Sequence, residues 1–397
     1  MLDPGAALPD ALAAGKATLL EPLAARRLTA GEVVSHLIDR GILSSADVVA
    51  GEGLQVIEVS RRNHNFKVID PFGRGVLVKQ AVAYDRVFTV AHEAQLYRCL
   101  AELAREGAAV PRAPLFRGYD DATAVLVLDL VPGALTLGEH HARTGRSSAA
   151  IAYSLGGQVA RLHELATTPA ALQIMEEAAF SVAPWMLTVG CPDVEILQTS
   201  SAAMLQLIRL IQDDGEVGAR LDELKASWRA DALIHRDLRW DNCLVSHDTH
   251  RRRGNVVTLV DWEMCGAGDA AWDLGSLIGG YLRLWLGSIP VGGELALEET
   301  LSLARFRLDR LQPAMRALWG AYLAARQDPV PNVSDFLLRV TMYAGIDLLR
   351  SAFESAQASA MLSPHLAPVV QVGFNMLQRP AEAAVHLLGI ELPGGRG

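Results

Sequence analysis

Lysine is rare in this sequence. Of 36 basic residues in a 397-residue chain, only Lys16, Lys67, Lys79 and Lys225 are lysines. The basic residues are also outnumbered by 45 acidic ones, which leaves a formal net charge of -9. That balance excludes a generic nucleic-acid binder, because such proteins use Lys and Arg to neutralise phosphates. Cysteine is scarce too. Cys99, Cys191, Cys243 and Cys265 form neither a C-x-x-C pair nor a Cys/His cluster with zinc spacing. They read as small buried apolar side chains in a reducing compartment. Long apolar runs are missing. The best run, residues 274–286, carries Arg283 and is shorter than the roughly 18 residues a span needs, so it reads as a buried helix. No charged n-region followed by an apolar stretch opens the chain, and a cytoplasmic location without membrane partners is expected. Several catalytic signatures are absent as well. There is no Gly-x-x-x-x-Gly-Lys-Ser/Thr loop, no Gly-x-Ser-x-Gly elbow, and no second His after His92-Glu93 to make a zinc protease.

Half of the chain is apolar, ample for a well-buried core. Its length predicts two domains or one large bilobal unit. Residues 1–50 read as a helical N-terminal extension, with amphipathic stretches at 19–27 and 31–40. Strand patterns follow at 54–59, 66–69 and 76–79, separated by the polar break 60–65 and the turn 70–73. Residues 89–106 show helical spacing, and 123–130 is a further strand. Beyond Pro132-Gly133 the chain is mainly helical, interrupted by short apolar runs at 232–234, 243–245 and 256–260. The expected class is α+β: a small lobe at 51–131 with an antiparallel sheet and one helix, then a larger helical lobe at 132–397. A cleft between two lobes is the usual place for a small ligand.

The informative segment is His235-Arg236-Asp237-Leu238-Arg239-Trp240-Asp241-Asn242. It is His-x-Asp followed, five residues after the Asp, by Asn, pinned between two apolar runs. Asp261 lies nineteen residues beyond Asn242, at the end of the run 256–260. Phosphoryl transfer needs a carboxylate to orient an acceptor hydroxyl and take its proton. It also needs oxygen ligands that hold Mg²⁺ across the phosphates. Asp237 suits the first task, and Asn242 and Asp261 the second. His235 reads as packing for the loop.

These residues resemble the aminoglycoside phosphotransferase and choline kinase branch of the kinase-like superfamily. Asp261-Trp262-Glu263 is similar to that branch's Asp-x-Asp/Glu metal motif. The stretch 268–274 is similar to its Gly-Asp-Pro-x-x-Asp-Leu signature, and 159–163 to its Leu-His helix. The resemblance implies a bilobal kinase-like fold and use of ATP and Mg²⁺. It implies that Lys79, on the third strand, reaches the α- and β-phosphates and that Glu93, fourteen residues later, holds it. The hinge 128–131 should offer the backbone of Asp129 and Val131 to adenine. The phosphate loop lacks the Gly-x-Gly-x-x-Gly form, and Ser60 and Asn63 stand there instead, beside Arg61 and Arg62. Arg239 should stabilise phosphate charge or form a salt bridge at the cleft rim. Asp273 should brace the catalytic loop.

The acceptor is less determined. Residues 59–68 and 73–80 are similar to phosphotransferases of lanthipeptide and thioamitide (RiPP) biosynthesis. That resemblance implies Ser or Thr of a precursor peptide as acceptor, with a companion lyase as partner. The other readings are a hydroxylated small molecule, such as an aminoglycoside or macrolide, and a non-catalytic pseudokinase. A cationic drug would need an acidic cleft, for which Glu176, Glu177, Asp193, Glu195, Asp213 and Asp214 are candidates.

Overall fold

The computed structural model describes residues 27–44, 53–59, 63–177, 180–247, 254–290 and 297–393. The expected stretch 19–27, apart from Arg27, together with Ser60, Arg61 and Arg62, lies outside them. The second N-terminal stretch is helix α1 (Ala30–Asp39), opened by a capping box in which Thr29 and Glu32 satisfy each other's backbone N–H groups.

The sheet of the small lobe contains β1 (Gln55–Glu58), β2 (His64–Ile69), β3 (Gly75–Gln80), β4 (Phe116–Asp120) and β5 (Val125–Asp129). Its order is β1-β2-β3-β5-β4, with antiparallel neighbours throughout. β2 and β3 alternate, so Phe66, Val68, Val76 and Val78 point to one face. On that face they meet Val33 and Leu37 of α1 in a separate small core. The other face packs on α2 (Tyr84–Arg105), whose buried stripe is Val87, Val90, Ala94 and Tyr97. That spacing follows a 3.6-residue period. β4 has no alternating signature in the sequence, because the ladder slips between Phe116 and Gly118.

In the large lobe, β6 (Leu135–Thr136), β8 (Cys243–His247) and β9 (Asn255–Leu259) form one small sheet. β7 (Ala232–Ile234) pairs with β10 (Gly266–Gly268) in another. Helices α3 (Ala149–Glu164) and α4 (Ala270–Leu286) pack on these strands, and α5 (Leu308–Ala325) and α6 (Val333–Ala356) pack in turn on α3 and α4. α4 and α6 are buried on nearly every side. That explains the apolar run at 274–286, and among the described residues no helix is long and apolar enough to cross a membrane. Cys99, Cys243 and Cys265 are buried, as expected, but Cys191 is exposed in the loop before 194–199.

Candidate active site

The site is assembled from β3, α2, the loop 235–242 and the exit of β9. Lys79 sits on β3 opposite Leu126, and its side chain is 6% exposed. Its ammonium donates to Glu93 Oε2 at 2.7 Å and to Asp261 Oδ1 at 2.8 Å, and lies 3.2 Å from Glu263 Oε2. Burial opposes its charge, but the three carboxylates outweigh burial and hold the ammonium well above its ordinary value. Glu93 also accepts from the Trp262 N–H at 3.3 Å. Burial raises its carboxyl above the usual range, Lys79 opposes that, and Asp261 and Glu263 reinforce it. Glu102, on the same helix, is exposed and takes no part in this cluster. His92 stacks on Phe180 at 3.9 Å, and a hydrogen bond to the Cys265 carbonyl at 2.6 Å ties α2 to the large lobe.

The loop 235–242 is held from beneath by Asp273. That carboxylate is fully buried and accepts from the backbone N–H of His235 at 2.7 Å and of Arg236 at 3.0 Å. His163 of α3 faces it at 3.2 Å. Arg236 and Asp261 both have positive φ, at 66° and 65°. A non-glycine residue there costs on the order of 1–3 kcal/mol and persists only where the surroundings enforce it. Asp273 supplies that enforcement at Arg236. The Arg236 guanidinium finds the carbonyls of Phe180 and Val182 instead of a carboxylate, and burial lowers its pKa to about 10. His235 packs on Trp262 and bonds the Val260 carbonyl, which is the packing role expected of it.

Asn242 donates to the Asp237 carbonyl at 2.8 Å and to Asp237 Oδ2 at 3.3 Å. Arg239 is placed in an ion pair with Glu354 at 2.8 Å, with Asp241 at 3.8 Å. Asn63 donates to Glu263 Oε2 at 3.2 Å, so the phosphate-loop side meets the metal motif. At the hinge, Asp129 donates its N–H to the Leu115 carbonyl, and its carboxylate accepts a fork from Arg117 at 2.6 and 2.9 Å. What Asp129 can offer a base is therefore its carbonyl. Val131 follows at the start of the crossing to β6, and its carbonyl accepts from Ala134 at 3.4 Å.

Carboxylate oxygens of Glu93, Asp261 and Glu263 lie within 4.8 Å of one another. Such hard oxygen donors suit Mg²⁺ rather than a soft metal. Asn242 spends its amide NH₂ on Asp237, which leaves its carbonyl oxygen as the atom able to join them.

Sequence reasoning missed Arg350. It is 6% exposed, belongs to α6 and donates to Asp237 Oδ1 at 3.1 Å. Burial opposes its charge, but Asp347, Asp237 and Glu354 raise its pKa above the ordinary value. No local signal marks it, since 113 residues separate it from the loop.

The profile of the phosphotransferase enzyme family matches residues 54–318. Among solved structures, an ethanolamine kinase from Plasmodium vivax superposes with a TM-score of 0.51 at 11% identity, over 91% of each chain. A choline kinase from Cryptosporidium parvum Iowa II gives 0.49 at 13% identity, over 89% of this chain and 96% of its own. A macrolide 2'-phosphotransferase from Brachybacterium faecium gives 0.42 at 17% identity, over 84% and 97%. No curated protein sequence matches. The superposition on the ethanolamine kinase and the family match bear on the fold, which is the bilobal kinase-like one that the sequence implied.

Proposed function

The chain belongs to the phosphotransferase enzyme family, and from that premise we propose that it moves the γ-phosphate of ATP to an alcohol hydroxyl at Asp237. The observation that carries this is the Lys79 cluster with Glu93, Asp261 and Glu263 set beside the Asp237–Asn242 pair, the two joined next to Asp261 where the Val260 N–H donates to the Asn242 carbonyl at 3.0 Å. Lys79, freed from Asp261 by the incoming nucleotide, holds the α- and β-phosphates while Glu93 keeps it on station. Asp237 accepts the hydroxyl proton as the acceptor oxygen bonds to the γ-phosphorus. The bond from that phosphorus to the bridging oxygen breaks, and ADP leaves. Mg²⁺, when bound through Asp261, Asn242 and Glu263, screens the charge of the phosphates. The Asp129 carbonyl and Val131 N–H are the groups proposed to meet adenine. Ser60 and Asn63 are the proposed phosphate-loop side chains.

For the acceptor, the preferred reading is Ser or Thr of a ribosomal precursor peptide, whose phosphate a companion lyase would then eliminate. It is supported by the resemblance carried by residues 59–68 and 73–80. It is also supported by the charges at the base. Arg350 already pairs with Asp237, which disfavours acceptors that bring ammonium groups there. Two of the acidic residues considered for binding a cationic drug, Asp193 and Asp214, are used as helix N-caps. A hydroxylated small molecule is the second reading, in line with the Plasmodium vivax neighbour, which is named an ethanolamine kinase.

The deciding experiment incubates the enzyme and Mg·ATP with a Ser/Thr-rich precursor peptide, and separately with aminoglycosides, macrolides, choline and ethanolamine. A mass gain of one phosphoryl group on the peptide alone is the expected result. Phosphorylation of a small molecule but not of the peptide would overturn the peptide reading. An Asp237→Asn variant as fast as the parent would overturn the assignment of the base.

A further inference from the structure

Asp237 is reached from two directions. Asn242, from its own loop, holds Oδ2 and the backbone carbonyl. Arg350, from α6, holds Oδ1. The arrangement behind Arg350 is built rather than incidental. Its second amino group donates to Asp347 Oδ1 at 2.6 Å, and the other oxygen of Asp347 takes Arg283 of α4. Asp347 is only 2% exposed. Two guanidinium groups therefore share one buried carboxylate. The excess positive charge faces Asp237, and a buried charge needs such a partner. One turn further along α6, Glu354 holds Arg239, so the helix grips the catalytic loop at two points.

The helices can approach this closely because α4 presents glycine. A Cβ at Gly279 would stand 2.8 Å from the Asp347 Cβ, and one at Gly280 would stand 2.5 Å from Trp240 Cε2 in the loop. Real side chains do not meet at such distances, so any larger residue at either position would push α6 or the loop away. The two glycines thereby set the reach of Arg350 to Asp237.

We propose that Arg350 is a positioning residue for phosphoryl transfer: its guanidinium, set by Asp347 and Arg283, fixes the Asp237 carboxylate in the orientation that receives the acceptor hydroxyl. This rests on the reading of Asp237 as the base. A carboxylate held only by Asn242 could turn about its side-chain bonds, and a displacement of about 1 Å at a reacting group can cost about a hundredfold in rate. The contact also links the base to α6, a helix in the part of the chain where the acceptor site is expected.

The test uses Mg·ATP with water as the acceptor and follows ADP release by the full chain. Arg350→Ala should lower turnover by about tenfold or more while the KM for ATP stays within about twofold, because the nucleotide groups lie elsewhere. Methylguanidinium at low concentration should restore part of the turnover of Arg350→Ala and none of that of Asp237→Asn. Arg350→Ala with the parent's turnover and thermal midpoint would overturn the proposal, and so would a loss confined to KM. Where Arg350→Ala does not fold, Arg350→Lys carries the test. Reduced turnover at unchanged KM then supports the role, and parental turnover overturns it. An inactive Asp237→Asn beside a fully active Arg350→Ala would reject the positioning role alone. A fully active Asp237→Asn would reject the base assignment beneath it.

Discussion

Lys79 and Asp261 are hydrogen-bonded at 2.8 Å, joining β3 of the small lobe to the exit of β9 in the large one. Residues 182 positions apart thus close the cleft through one ammonium, with Glu93 as the second partner at 2.7 Å. Three carboxylates around one ammonium leave an excess of negative charge, which a divalent cation can offset and a further anion cannot.

Replacing the ammonium should therefore cost both binding and rate. Lys79→Met is expected to lower kcat/KM for ATP by about a hundredfold or more, as loss of a charge-stabilising donor does. Initial rates and nucleotide titration check this. A variant that binds and turns over ATP like the parent would contradict the placement.

Metal dependence should be readable without an acceptor. Mg²⁺ with a non-hydrolysable ATP analogue is expected to raise the thermal midpoint of the parent, since a ligand bound only to the native state stabilises it. Asp261→Ala should lose most of that gain. An equal gain in the variant would remove Asp261 from the metal site.

Asp273→Asn should destabilise the fold. Both oxygens accept backbone N–H groups, and an amide would turn one donor against another. The expected loss is about 1.5–3 kcal/mol, the range for hydrogen bonds to a charged group. Urea unfolding measures it. Activity should fall as well, because Asp273 holds Arg236 in its positive-φ conformation.

His141 gives a pH dependence of stability. It is fully buried beside Trp240 and Tyr281, and burial lowers its pKa to about 4, with His140 adding to the effect. Its neutral form is favoured in the fold, so the contribution is complete above pH 6.5, the unfolded value, and is lost as pH falls from there towards 4. The full difference is about 3 kcal/mol. His141→Leu should flatten this part of the stability–pH curve, and an unchanged slope would exclude His141 as its source.

Much of the site could be read locally. The loop 235–242 places Asp237 and Asn242 five residues apart, and the strand after it delivers Asp261, so their spacing, matched to the kinase pattern, made them the candidates. Lys79 and Glu93 were legible through the resemblance, which implies a Lys on the third strand paired with a Glu on the next helix, and the two are hydrogen-bonded at 2.7 Å. β4 and β10 were not legible. The first has a slipped ladder at Gly118, and the second is Gly266-Ala267-Gly268, with no strand pattern. Their extended form comes from the strands they pair with.

By itself, the sequence determined which groups are the candidates for the chemistry, because Asp237 and Asn242 sit within a few residues of one another in one loop. Tertiary structure alone decided what holds them. Arg350, Asp347 and Glu354 lie on a helix more than a hundred residues away, and their approach to the loop depends on how α4 and α6 pack across Gly279. Packing of that kind depends on the shape of two buried surfaces, which hydrophobic periodicity marks as buried without saying which faces meet.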